Sequence, residues 1–119
     1  AMLSGMENET FAREIARYAL ILADYPNPDG WGISDANAFT SPEFDRLLQK
    51  ATIVLCNPPY GDFTTSERGD IGQEATYTKE VEALRRVMTY PPAMLGFILP
   101  RSFLDRSDFR TLREQIAAL

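Results

Sequence analysis

Residues 54–61 read VLCNPPYG, an apolar run that stops at an asparagine, two prolines and an aromatic ring. With Ile53, residues Val54 and Leu55 form the kind of unbroken apolar stretch expected of a strand covered on both faces, and a strand is predicted over 51–56. Pro58 and Pro59 have fixed φ angles and no N–H, so neither can extend a ladder. The Pro58 carbonyl is left as a rigid, outward-pointing acceptor. Asn57, biased to an extended conformation by the proline after it, adds a side-chain acceptor, and Tyr60 adds a flat ring suited to stacking on a base. Two acceptors side by side fit one NH2 group.

On either side of this stretch, helical and strand-like patterns alternate. Phe11, Ile15, Tyr18, Ala19 and Leu22 fall on one face of a helix over 10–24, with Arg13, Glu14 and Arg17 toward water. Asn8 or Thr10 can cap its start and YPNPDG breaks it. Met2 to Glu7 is short enough for a strand, and Gly32 to Phe39 reads as a short strand with a loop. Ser41 caps a short helix that has Pro42 at its first position. After NPPYG comes a loop of about 13 residues rich in Gly, Thr, Ser and Asp, longer than most connections and therefore functional or mobile. Residues 74–88 return to helical spacing through Tyr77, Val81, Leu84 and Val87 or Met88, and Pro91-Pro92 ends them. Leu95 to Leu99 is a second buried-strand run, and Phe109, Leu112, Ile116 and Leu119 mark a final helix.

The totals exclude several classes. An apolar content of 45% in 119 residues fits one globular domain or a piece of one, and rules out a disordered chain. No apolar run approaches the roughly 20 residues that a bilayer-spanning helix needs, and no signal-peptide pattern is present. One cysteine cannot form an internal disulfide, so a cytoplasmic protein is expected. The absence of histidine removes the usual imidazole base and most zinc sites, and no metal is expected. A net charge of -5 argues against a free-standing nucleic-acid-binding domain, and Arg101, Arg106, Arg110 and Arg113 read as a solvated helix face. Ala1, ahead of Met2, is set aside as a tag remnant.

Strands alternating with helices imply an α/β fold with a mostly parallel sheet, in which ligands lie beyond the carboxyl ends of the strands. Asn57-Pro58-Pro59-Tyr60 stands at such an end. In that setting the sequence resembles the S-adenosylmethionine-dependent N6-adenine DNA methyltransferases of restriction-modification systems, whose hallmark these four residues match in full. Gly5 to Ala16 is similar to the family's second strand and following helix, which makes Glu7 the acidic residue that binds the cofactor ribose. Asp35 to Phe39 is similar to the next segment, where Asn37 or Asp35 would lie beside the cofactor adenine. Leu95 to Leu104 resembles the downstream strand and Pro-x-x-Phe turn, which would bring Phe103 near the substrate. The resemblance implies that Asn57 and Pro58 accept both hydrogens of the target amino group, with Pro59 fixing the turn. Tyr60 would stack on the extruded base.

The chain also departs from that family. No glycine-rich cofactor loop precedes Glu7 and no target-recognition region follows. The expectation is therefore a fragment of a methyltransferase catalytic domain over 1–119. It would be a partial Rossmann-like sheet of about four strands with the family's first strand missing. The gap would be closed by direct pairing of its neighbours, by rearrangement or by another chain, so self-association or an altered strand order is expected. S-adenosylmethionine is expected to bind weakly or not at all, and DNA to be engaged through the intact parent, leaving the fragment inactive alone. The alternatives are a protein-glutamine or RNA methyltransferase fragment, or a non-catalytic assembly module derived from one.

Overall fold

The computed structural model describes residues 3–26, 30–71 and 77–119. Met2, the centre of the YPNPDG break and residues 74–76, where the helix over 74–88 was expected to begin, lie outside them. Two compact units divide the chain, residues 1–47 and 48–119. Among the described residues, no helix is long and apolar enough to cross a membrane.

In the first unit, β1 (Leu3–Met6) leads through α1 (Thr10–Ala23) to β2 (Trp31–Ser34), and the strands pair in parallel from Leu3 opposite Trp31 to Met6 opposite Ser34. Parallel neighbours need a crossover of this length, and α1 supplies it. The helix begins where a side chain can satisfy its first amides. That residue is Glu9, whose carboxylate accepts from Ala12 N–H (2.6 Å) and Phe11 N–H (3.2 Å), rather than Asn8 or Thr10. The apolar stripe of α1 is also not where its periodicity suggested: Phe11, Ile15, Tyr18 and Leu22 are all exposed, Leu22 by 79%. Arg13, expected in water, has a mostly buried side chain that reaches within 4.0 Å of Asp35. Trp31 opens β2 half-buried, and its indole N–H is enclosed without a hydrogen-bond partner among the described residues. The short helix α2 (Glu43–Leu48) starts as expected, with the Ser41 hydroxyl accepting from Glu43 N–H at 3.2 Å.

The second unit runs β3 (Ile53–Cys56), α3 (Thr65–Ile71), α4 (Lys79–Thr89), β4 (Met94–Phe97), α5 (Ser102–Asp105), a 3-10 turn at Ser107–Phe109 and α6 (Arg110–Ala117). β3 and β4 pair in parallel from Ile53 opposite Met94 to Cys56 opposite Phe97. Val81, Leu84 and Met88 repeat along α4 at helical spacing and pack with Phe103 and Phe109 into the core, backed by Tyr77, Leu95, Phe97, Leu99, Leu112 and Ile116. Each such side chain, removed from water, stabilises the fold by about 1.5–3 kcal/mol. The core lies on the Leu95 and Phe97 side of β4. Alternation puts Ile53, Leu55 and Met94 on the other side, where they are exposed, Leu55 by 82%. The strand over 51–56 is therefore covered on one face only, because the helices that follow it collect on that face.

The architecture is mixed α/β with parallel strands, but the expected single sheet of about four strands is two sheets of two, β1 with β2 and β3 with β4. Each strand pairs with the partner across its own helical crossover. No ladder joins β1 to β3 among the described residues. The loop expected after NPPYG contains α3. Its start is a reciprocal capping box: Glu67 N–H donates to the Thr64 hydroxyl at 3.2 Å and Thr64 N–H to the Glu67 carboxylate at 2.7 Å.

α4 also carries a buried charge. Glu82 is 1% exposed and takes Arg85 at 2.8 Å through two nitrogens and Arg86 at 2.9 Å. Burial opposes its ionisation, but the bonds from Arg85 and then Arg86 win and hold its carboxyl below the usual range. A lowered folded value stabilises the fold above the ordinary carboxylate range and is lost as pH falls through that value. Glu82→Gln should thus lower stability by about 1–3 kcal/mol near neutrality. Urea denaturation at about pH 7 and about pH 3 should show the gap from wild type narrowing in acid.

Candidate functional site

The strand β3 ends in a loop tied down at both ends. At its start the ladder makes one last contact, Ile98 N–H donating to the Cys56 carbonyl at 3.1 Å. Asn57 follows exposed, Pro58 is buried, and Pro59 and Tyr60 are exposed again, the Tyr60 residue by 52%. The first proline thus anchors the loop while the amide and the ring face outward. Among the described residues neither the Asn57 side chain nor the Pro58 carbonyl takes a hydrogen bond, which leaves both as acceptors.

At its far end the loop turns at Gly61, whose φ of +101° is a conformation that side chains disfavour. The Gly61 carbonyl accepts from Lys79 N–H at 2.8 Å, and Gly61 N–H donates to the Glu80 carboxylate at 3.0 Å. Beyond it, Phe63 is buried, with the Lys79 ammonium 5.8 Å from its ring centroid. Lys79 Nζ also donates to Glu67 at 2.9 Å. The segment after NPPYG is therefore held against the start of α4 by several polar contacts. Sequence reading missed Glu80 and the Thr64–Glu67 capping box. The box was readable as Thr-x-x-Glu, whereas nothing in the order of residues joins Glu80 to Gly61, 19 positions away.

Two neighbours of the loop have other tasks. Burial pushes the Cys56 thiol up to about 11, so it stays protonated and unreactive near neutrality. Phe103, expected beside the substrate, is a core residue, 3% exposed and stacked on Phe109 with ring centroids 5.3 Å apart. Three of the four clustered arginines make contacts within the unit. Arg106 pairs with Asp108 and Arg110 with Glu114, each at 2.8 Å, and Arg113 donates to the carbonyls of Phe103 and Arg106.

The residues expected at the cofactor lie in the first unit, at the carboxyl ends of β1 and β2. Glu7 follows the last register pair: its N–H donates to the Ser34 carbonyl at 2.9 Å, and its carboxylate Oε1 accepts from Glu9 N–H at 2.9 Å. Asp35 follows β2, its side chain mostly in solvent. Asn37 is committed to a turn, with Oδ1 accepting from Phe39 N–H (2.8 Å) and its carbonyl from the amides of Ser41 (2.9 Å) and Thr40 (3.2 Å). Only its side-chain NH2 is left to reach outward. The structure thus gathers Glu7, Asp35 and Asn37 at one sheet end in the first unit, and Asn57 to Tyr60 at another in the second.

No family model matches the chain, and no curated protein or solved structure shows significant similarity to it.

Alkylation of Cys56 in the folded chain should be slow near neutrality and keep accelerating as pH rises toward about 11, whereas urea-unfolded chain should react fast at mildly alkaline pH. Gly61→Ala should lower stability by about 1–3 kcal/mol in urea denaturation, because alanine must adopt the positive φ.

Proposed function

We propose that the chain carries the base-binding part of an adenine-N6 DNA methyltransferase of the restriction-modification type. The observation that supports this most is the placement of Asn57-Pro58-Pro59-Tyr60 directly after a parallel strand, with the acceptors and the ring turned outward and Pro58 anchored. An adenine amino group is a poor nucleophile because its lone pair is delocalised into the ring. Accepting one hydrogen at Asn57 Oδ1 and the other at the Pro58 carbonyl favours a more tetrahedral nitrogen whose lone pair can attack. S-adenosylmethionine supplies an electrophilic methyl group on a sulfonium. Once held by Glu7 with Asp35 or Asn37, it would give that methyl to the adenine nitrogen as the methyl–sulfur bond broke, and the nitrogen would shed one proton to water. The contribution of the chain is positioning and electrostatics, with no histidine needed. The target base has to leave the duplex to reach such a site, and Tyr60 offers it a stacking surface.

On this reading Glu7 receives the ribose hydroxyls of the cofactor, and Asp35 or the Asn37 amide borders its adenine. The free oxygen of Glu7 and the open side chain of Asp35 suit those contacts. Each unit supplies one parallel pair of strands joined through a helical crossover, the repeating element of a Rossmann-like methyltransferase sheet. Their unpaired edges favour association with a further strand, from a second copy or another chain. DNA is the substrate, the cytoplasm is the compartment, and the cofactor is held weakly by these residues alone.

The test compares single-stranded oligonucleotides that carry adenine or unsubstituted purine at one position. Wild-type chain should prefer adenine, and Asn57→Ala should remove about 1 kcal/mol of that preference while leaving purine binding unchanged. Tyr60→Ala should weaken both by about 1–3 kcal/mol. Equal binding of adenine and purine by the wild type would overturn the proposal.

A further inference from the structure

We infer that Glu80 is a positioning residue for the Asn57–Tyr60 site, acting through Gly61; its role in base recognition rests on the reading above. The side chain is 6% exposed and lies in the first turn of α4. A carboxylate so buried needs compensation, and two sources are present. The N-terminal turn of the helix carries partial positive charge, and Gly61 N–H donates to Glu80 Oε2 at 3.0 Å. The neighbouring Lys79 N–H donates to the carbonyl of the same glycine at 2.8 Å. Gly61 is therefore gripped at both its polar atoms by consecutive residues of one helix, in the positive-φ conformation that ends the loop.

The grip works in both directions. α4 has no side-chain cap: Thr78, at the N-cap position, makes no such bond, and its hydroxyl is enclosed without a partner among the described residues. The Gly61 carbonyl satisfies the first helical amide, that of Lys79. The segment from Asn57 to Tyr60 is then a short bridge between two fixed points, the Cys56 carbonyl on the β4 ladder and Gly61 on α4. Two of its four residues are prolines with set φ angles. Few torsions remain, so fixing Gly61 fixes the spacing between the Asn57 amide and the Pro58 carbonyl. A pair of acceptors aimed at a single NH2 group depends on that spacing.

Three variants of the full chain test this. Glu80→Ala removes the acceptor, and Glu80→Asp keeps the charge but withdraws it by one methylene. Glu80→Gln keeps an oxygen at the right reach. The readouts are hydrogen exchange at the Gly61 amide, the NMR shifts of Asn57 and Tyr60, and the adenine-over-purine preference. Losing one hydrogen bond should speed Gly61 exchange by about fivefold or more in the Ala and Asp variants, with the shifts moving and the adenine preference falling by a similar factor. Glu80→Gln should restore all three. A purely structural carboxylate would lower the urea midpoint yet leave the shifts and the preference alone, and that result overturns the inference, as does a freely exchanging Gly61 in the wild type. If Glu80→Ala fails to fold, the Asp and Gln pair carries the comparison. Shifts that move in Asp and return in Gln, in a wild-type chain that does not distinguish adenine from purine, uphold the grip and overturn the proposed function alone.

Discussion

Leu84 has no exposed surface, and much of the second unit answers to the burial of the helix that carries it. A helix enclosed on most sides must satisfy every polar group it takes inside. α4 does so twice. In its middle, Glu82 is sealed from water but is met by two guanidinium groups. At its start, which has no side-chain cap, a turn from another part of the chain supplies an acceptor for the first helical amide. The loop after β3 is thus part of how α4 begins, and a helix packed this firmly passes its rigidity to that loop.

The loop itself shows how a strand can be stopped in a useful way. Prolines at 58 and 59 cannot donate, so the ladder stops, and burying one of them keeps the stopped chain from fraying. What remains outward is an amide, a carbonyl and a ring. The arrangement carries no charged group of its own. Burial at the end of the strand also pushes the adjacent Cys56 thiol up.

How far the order of residues could be read depended on how local each feature was. The extent of α1, the short strands, the core stripe of α4 and the outward Asn57 and Tyr60 follow from periodicity or from the rules of proline, so they were readable. The capping box that begins α3 was equally local and was passed over amid Gly, Thr and Ser. Other features depend on what lies across space. Periodicity shows that α1 has an apolar stripe but not whether anything covers it, and Phe11, Ile15, Tyr18 and Leu22 are bare. An apolar run such as Ile53 to Leu55 has the same composition whether one face or two are covered. The partner of Gly61 and the pairing of strands two by two belong to the same class of non-local fact.

Trp31 is the one tryptophan of the chain and lies in the first unit, with its indole N–H enclosed and no tryptophan anywhere in the second. The protein is consequently its own two-colour reporter. Excitation at the red edge of aromatic absorption sees only the unit that carries Glu7 and Asp35, whereas far-ultraviolet dichroism sees the helices of both units. Melting curves followed by the two signals coincide only if the units melt together, so any gap between them reveals independent melting without a label or a substitution.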